Sequence, residues 1–265
     1  MAEIKYIIPF TYKWEGGLSN ATTDNASKNP ANISPYTING KKGWHTNKGV
    51  TYSVFKSGAS KYGYQDTLEN FKDMPHEIWL KIAKGGYWDT LNLDNLKSQA
   101  VANVMFSWCW GSGYAWIPRL SSYLKSKGIN WVGGNWVASK MKLAPDFKQI
   151  TDKLNQLIDK QGEKQTFEDL IEQKKQFLLS LGEKANPKTA KFPQGINTKG
   201  WMNRLTELQS YSSTLLGKGI EATKDVANKT IEEVKKKPLT TIVLTTLLLI
   251  SSYLVYNYTI KNKIK

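Results

Sequence analysis

The stretch from Leu96 to Trp110 constrains the fold most. Ala100, Val101, Val104, Met105 and Trp108 recur at helical spacing, and the segment is apolar around most of its circumference. A helix without a polar face has no surface on which to lie, so the pattern predicts a central helix wrapped by other elements. Gly111-Ser112-Gly113 ends it. The wrapping segments are legible too. Ile4, Ile7, Ile8 and Thr11 recur at helical spacing up to Glu15. Asp73 and Pro75 open a helix through Ile78, Trp79 and Ile82, which Gly85-Gly86 should close. Tyr114 to Lys127 reads as another. Pro145 opens a further one with Phe147, Ile150, Leu154 and Leu157 as its inner stripe, and Phe167, Leu170, Ile171, Phe177 and Leu178 mark the next, up to Gly182. Gly200-Trp201 should begin the last globular helix, running to about Leu216. Leu18 to Trp44 is rich in Asn, Thr, Ser, Pro and Gly and reads as loop or short hairpin, with Asn39-Gly40 as a turn signal. The expected fold class is therefore mainly α, with a small loop and β-hairpin region.

Beyond that domain the composition changes. From Gly217 to Lys237 the apolar spacing thins and charges alternate, which reads as a partly helical stalk. From Pro238 to Ile260 no residue is charged. The eighteen residues from Leu239 to Tyr256 would span roughly 27 Å as a helix, close to the hydrocarbon core of a bilayer at about 30 Å. Lys235, Lys236 and Lys237 precede the run, Lys261, Lys263 and Lys265 follow it, and Tyr253, Tyr256 and Tyr258 suit an interface. The expected organisation is a domain over 1–216, a stalk over 217–238, a membrane span over 239–258 and a basic tail over 259–265. A buried core helix is the competing reading of the apolar run, and the basic clusters at both ends speak against it. Those same clusters leave its orientation open. At the other end the apolar stretch is broken by Lys5, Pro9 and Lys13, so no signal peptide is expected.

A net charge of +15 suits an anionic partner, either a cell-wall polymer or acidic lipid headgroups. Nucleic acid is not expected, since no zinc-finger spacing, RNP-type motif or phosphate loop accompanies the charge. Cys109 is the only cysteine, which rules out an intramolecular disulfide and a thiolate metal site. His45 and His76 are too few for a histidine-based zinc centre. Neither a metal nor another cofactor is expected.

The chemistry-bearing stretch is Lys13-Trp14-Glu15-Gly16-Gly17, with Asp24 after it. Gly16 and Gly17 should stop the helix in the left-handed cap conformation, leaving Glu15 at its C-terminal end. There the helix dipole and an apolar wall from Trp14 both disfavour the ionised carboxylate, as a general acid requires. Trp108, Trp110 and Trp116 are candidates for stacking on sugar faces, at least two of them better read as core. Arg204 is expected to buttress the domain through a buried ion pair.

Glu15-Gly16-Gly17, Asp24 and Thr46-Asn47-Lys48-Gly49-Val50-Thr51 together resemble the N-terminal signature of the glycoside hydrolase family 108 muramidases. Tyr87-Trp88 is similar to that family's mid-chain pair, and Gly200-Trp201-Met202-Asn203-Arg204 to its C-terminal element. The resemblance covers residues 1 to 216 in the expected order. It implies a lysozyme-like α+β domain acting on bacterial peptidoglycan, with Glu15 as the catalytic residue. Comparison with phage-type lysozymes adds Asp24 and Thr46 to a Glu-Asp-Thr triad. Two departures stand out. Asn25 to His45 intervene between aspartate and threonine, where the family has a few residues, and Ser107 and Gly111 occupy positions where the family commonly has aspartate and asparagine. A phage lytic enzyme, an endolysin or a virion component, is the expected setting. A catalytically silent lysozyme-like scaffold is the alternative.

Overall fold

The computed structural model describes residues 1–22, 24–131, 147–183 and 195–217. Met1–Gly217 forms one compact unit. The stalk beyond Gly217, the expected span over 239–258 and the basic tail lie outside the described residues, and among those described no helix is long and apolar enough to cross a membrane.

The predicted central helix is α5, Gln99–Ser112, and every residue from Gln99 to Trp110 is buried. Ser98 caps it, accepting from the Val101 N–H at 3.1 Å and donating to Glu163 Oε1 at 2.6 Å. Its few polar residues are buried as well, so they need partners inside. Gln99 Oε1 accepts from the Glu3 N–H at 2.7 Å, Gln99 Nε2 donates to Asn103 Oδ1 at 2.8 Å, and Asn103 Nδ2 donates to Ser212 Oγ at 3.3 Å. This chain of amides ties the N-terminus, α5 and the last helix together.

Against α5 lie α8 (Glu163–Glu183) and α9 (Gly195–Ser213), with α6 (Ile117–Ser126) and α7 (Ile150–Gln161) against α8. Their inner faces follow the expected stripes: Ile150, Leu154, Leu157, Phe167, Leu170, Ile171, Phe177 and Leu178 are all buried. Pro145 and the side chain of Phe147 fall outside the described residues. The last helix begins at Gly195, before the predicted Gly200, which sits inside it with open space where a Cβ would stand.

The other half carries α1 (Ile8–Trp14), a two-stranded antiparallel sheet of β1 (Thr46–Asn47) and β2 (Val50–Thr51), then α2 (Tyr52–Tyr62), α3 (Leu68–Asp73) and α4 (His76–Ala83). Asn39-Gly40 forms a left-handed turn closed by the Ile38–Lys41 bridge. Gly85-Gly86 does not close α4. The backbone widens there into a π-turn over Lys84–Trp88. The glycines have another use: the Tyr62 ring lies on the bare backbone, and a Cβ at Gly85 would stand 2.5 Å from Tyr62 Cε1. The whole is mainly helical with one small sheet, consistent with a lysozyme-like domain.

Helix α9 holds α1 in place. Lys13 pairs with Glu207, the Tyr211 hydroxyl donates to the Tyr6 carbonyl, and the Phe10 and Tyr211 rings stack with centroids 5.7 Å apart.

Candidate active site

Glu15 sits at the end of α1, as its sequence position predicts, but the helix stops differently. Glu15 itself takes an extended backbone, φ −90° and ψ 126°, and its N–H donates to the Tyr12 carbonyl at 3.4 Å. Gly16 and Gly17 do not adopt positive φ, so the expected left-handed glycine cap is absent. They line a cleft instead, together with Tyr12, Glu15 and Lys48, and nothing stands within 4 Å of where their Cβ atoms would be. What these glycines supply is open space beside the carboxylate. The cleft measures about 140 Å³, against about 300–1,000 Å³ for enclosing small-molecule pockets. It is a notch on the surface.

Two groups converge on one carboxylate oxygen. The Trp110 indole N–H donates to Glu15 Oε1 at 2.8 Å, and Arg204 Nη2 stands 2.7 Å from the same atom. Nη2 meets Oε1 off hydrogen-bonding angles, so the Arg204 contact is an ion pair. Side-chain exposure is 11% for Glu15 and 21% for Arg204, leaving the pair little screened by solvent. The expected buttressing ion pair of Arg204 is therefore real, and its partner is Glu15. The indole that bonds the carboxylate is Trp110, and it offers a donor; Trp14, expected as an apolar wall, is not among the residues lining the cleft. Trp110 is wedged between Tyr87, Trp79 and Phe106, with centroids 4.9, 5.1 and 5.9 Å away. Trp108 and Trp116 are fully buried, 6.0 Å apart, which removes them as sugar platforms.

The second oxygen, Oε2, faces the hairpin tip. Lys48 and Gly49 take φ 45° and 76°, the paired left-handed conformation of a type I′ turn. A methyl group at Gly49 would stand 2.6 Å from Glu15 Cδ, closer still to Oε2, and 3.1 Å from Trp110 Nε1. The hairpin is pinned there by satisfying the orphan carbonyls of α3. Asn47 Nδ2 donates to the Phe71 and Lys72 carbonyls at 2.7 and 2.8 Å, and Lys48 Nζ to those of Asp73 and Met74 at 3.0 Å each. Trp79 Nε1 donates to the Lys48 carbonyl at 2.9 Å.

Thr46 lies on this same hairpin, paired with Thr51 on the face opposite buried Asn47 and Val50. Its hydroxyl oxygen is 2.9 Å from His45 Nδ1. Asp24 does the ordinary work of a turn aspartate: its Oδ1 accepts from the Ala26 N–H at 2.9 Å and opens a short turn over Asn25–Lys28. Its side-chain hydrogen bond stays within that turn, and its N–H donates to the Ala21 carbonyl at 3.0 Å. The structure thus joins Glu15 to the Thr46 hairpin through Gly49, and gives no bond from Asp24 to either.

Behind Arg204 sits a buried amine. Lys174 on α8 donates from Nζ to Ser107 Oγ at 2.7 Å. Burial pushes its amine well below the ordinary lysine range, and the neighbouring Arg204 charge pushes the same way. Here the Ser107 departure acquires a structural meaning: a lysine leans on a hydroxyl where an aspartate would have matched its charge. Burial also pushes the Cys109 thiol up, which leaves it an inert core residue. Among the described residues no cluster of His, Cys, Asp or Glu is arranged to hold a metal. Sequence reasoning missed Trp110 as a donor, Lys174, and the steric demand at Gly49, which appeared there only as one member of the Thr46–Thr51 motif.

Residues 8–113 match the family model of glycosyl hydrolase 108, and the match supports the chain's membership of that family over this stretch. The matched region holds Glu15, Asp24, Thr46, Gly49 and Trp110 and stops short of Arg204. No curated protein and no solved structure matches the chain.

Proposed function

We propose that this glycosyl hydrolase 108 chain is a peptidoglycan hydrolase, an N-acetylmuramidase that cleaves the β-1,4 bond between muramic acid and glucosamine units. The observation that carries the reading is the asymmetry of the Glu15 carboxyl group. Oε1 is held by Trp110 and Arg204, while Oε2 remains at the cleft against Gly49. A proton on Oε2 is delivered to the glycosidic oxygen as the C–O bond breaks and positive charge develops on the sugar. Water then adds to the anomeric carbon, accepted into place by the Thr46 hydroxyl, and its proton passes to Asp24. For that last role Asp24 uses the oxygen not engaged by the Ala26 N–H. This sequence inverts the anomer; a retaining route or a lytic transglycosylase leaves different ends on the product.

The apolar run over 239–258 with its basic flanks supports a membrane anchor, and a wall hydrolase on such an anchor fits a phage lytic enzyme, either an endolysin or a virion-associated one. The site is in the host membrane or a virion membrane. Glu15→Gln assayed beside wild type on purified peptidoglycan tests the enzymatic reading: loss of soluble-fragment release in the variant supports it, and equal release removes Glu15 as the acid.

A second reading has its own observation. Arg204 occupies the carboxylate and Asp24 is engaged in a turn, an arrangement that a silent wall-binding scaffold would tolerate. Absence of release by both proteins, with retained binding to peptidoglycan, would favour it.

A further inference from the structure

His45 is fully buried, and its ring makes two contacts of opposite character. Nε2 lies 3.2 Å from the Ala21 carbonyl oxygen, and Nδ1 lies 2.9 Å from Thr46 Oγ1. A carbonyl oxygen only accepts, so Nε2 carries the hydrogen. In the neutral ring Nδ1 is then a lone pair, and the Thr46 hydroxyl must donate to it. The backbone at His45 is held on both sides: its N–H donates to the Ser19 carbonyl at 3.0 Å, and its own carbonyl accepts from the Tyr52 N–H at 2.9 Å. We infer that His45 is a positioning residue for hydrolysis, fixing the Thr46 hydroxyl so that it presents only lone pairs to the water it holds. A hydroxyl held in this way accepts a hydrogen from the attacking water and turns that water's own lone pair toward the sugar. A freely rotating hydroxyl spends part of its time donating to the water, which points the water's hydrogens at the reacting carbon.

The inference rests on the proposed role of Thr46, and the experiment keeps the two apart. The full chain is prepared as wild type, His45→Asn, His45→Leu, Thr46→Val, the His45→Leu/Thr46→Val double variant and Glu15→Gln. Each is assayed for kcat and KM on purified peptidoglycan, with a thermal melt as the fold control. Asparagine places an oxygen where Nδ1 stands and preserves the acceptor for Thr46; leucine does not. Losing one positioning hydrogen bond is expected to lower kcat by about ten-fold in His45→Leu, with KM little changed, while His45→Asn stays within about three-fold of wild type. In the Thr46→Val background the leucine substitution should lower kcat no further, because its effect runs through that hydroxyl. Equal losses for asparagine and leucine, or an additive loss in the double variant, would reduce His45 to a packing role and overturn the inference. Wild-type kcat in Thr46→Val with an inactive Glu15→Gln overturns it as well, while leaving the hydrolase reading intact. Should His45→Leu fail to melt cooperatively, His45→Phe, which keeps a ring and lacks an acceptor, takes its place alone and in the Thr46→Val background, and the same outcomes decide the matter.

Discussion

Gly49→Ala isolates the contact on which the candidate site is built. Two effects are combined in that substitution. Gly49 has φ 76°, and an alanine held in the left-handed region is strained by about 1–2 kcal/mol. The added methyl would also stand 2.6 Å from Glu15 Cδ, where ordinary carbon contacts are about 3.5–4.0 Å. The carboxyl group must therefore retreat by about 1 Å, away from the Trp110 N–H that fixes it. A displacement of that size at a reacting group lowers rate by about 10²-fold. Gly63 supplies the control: its φ is 71°, yet nothing stands within 4 Å of its missing Cβ. Gly63→Ala should thus lose a similar 1–2 kcal/mol of stability, roughly, and keep its activity. Release of soluble muropeptides gives the rates, and urea unfolding gives the stabilities. Wild-type turnover in Gly49→Ala, or equal losses of turnover in both variants, would refute the placement of Glu15 against the hairpin tip.

Arg204→Met should lower stability by about 1–3 kcal/mol by removing a poorly screened charge from Glu15, and cut turnover more than it raises KM; unchanged kinetics would show that Oε1 needs only Trp110. Lys174→Met should stabilise the protein near neutral pH and flatten its pH dependence. The sign follows from the lowered amine: between its folded value and 10.5 the unfolded chain binds more protons, so wild-type stability rises with pH across that window. Unfolding midpoints measured from about pH 8 to about pH 10 should show this slope in wild type and lose it in the variant; parallel curves would contradict the buried placement. A chain ending at Gly217 should retain hydrolysis and leave the membrane fraction, whereas the full chain stays with it; detergent-free solubility of the full chain would sink the anchor.

The helical framework was legible because apolar period and burial coincide. The stripe of Ile150, Leu154 and Leu157 and the all-round apolar α5 leave few alternatives, and both are buried as expected. The two glycine pairs misled for one reason. Gly16-Gly17 and Gly85-Gly86 read as helix stops on conformational grounds, yet neither pair is used for its backbone freedom. One keeps a cleft open and the other admits the Tyr62 ring, and both demands come from distant side chains that no local window contains. Glu15 stands out by its place at a helix end before a glycine pair, but its partners lie on α5 and α9, far along the sequence. Arg204 was correctly expected in an ion pair while its partner went unseen. Asp24 shows the converse: a turn aspartate and a catalytic one look alike in sequence, and the bonds observed are those of the turn.

The central claim is that Glu15 delivers a proton to a glycan bond, and mass spectrometry of the fragments from purified peptidoglycan tests it most directly. The account predicts disaccharide fragments with reducing muramic acid ends from the wild-type chain, and none from Glu15→Gln. The same fragments from both proteins, or no glycan cleavage by the wild type, would contradict it.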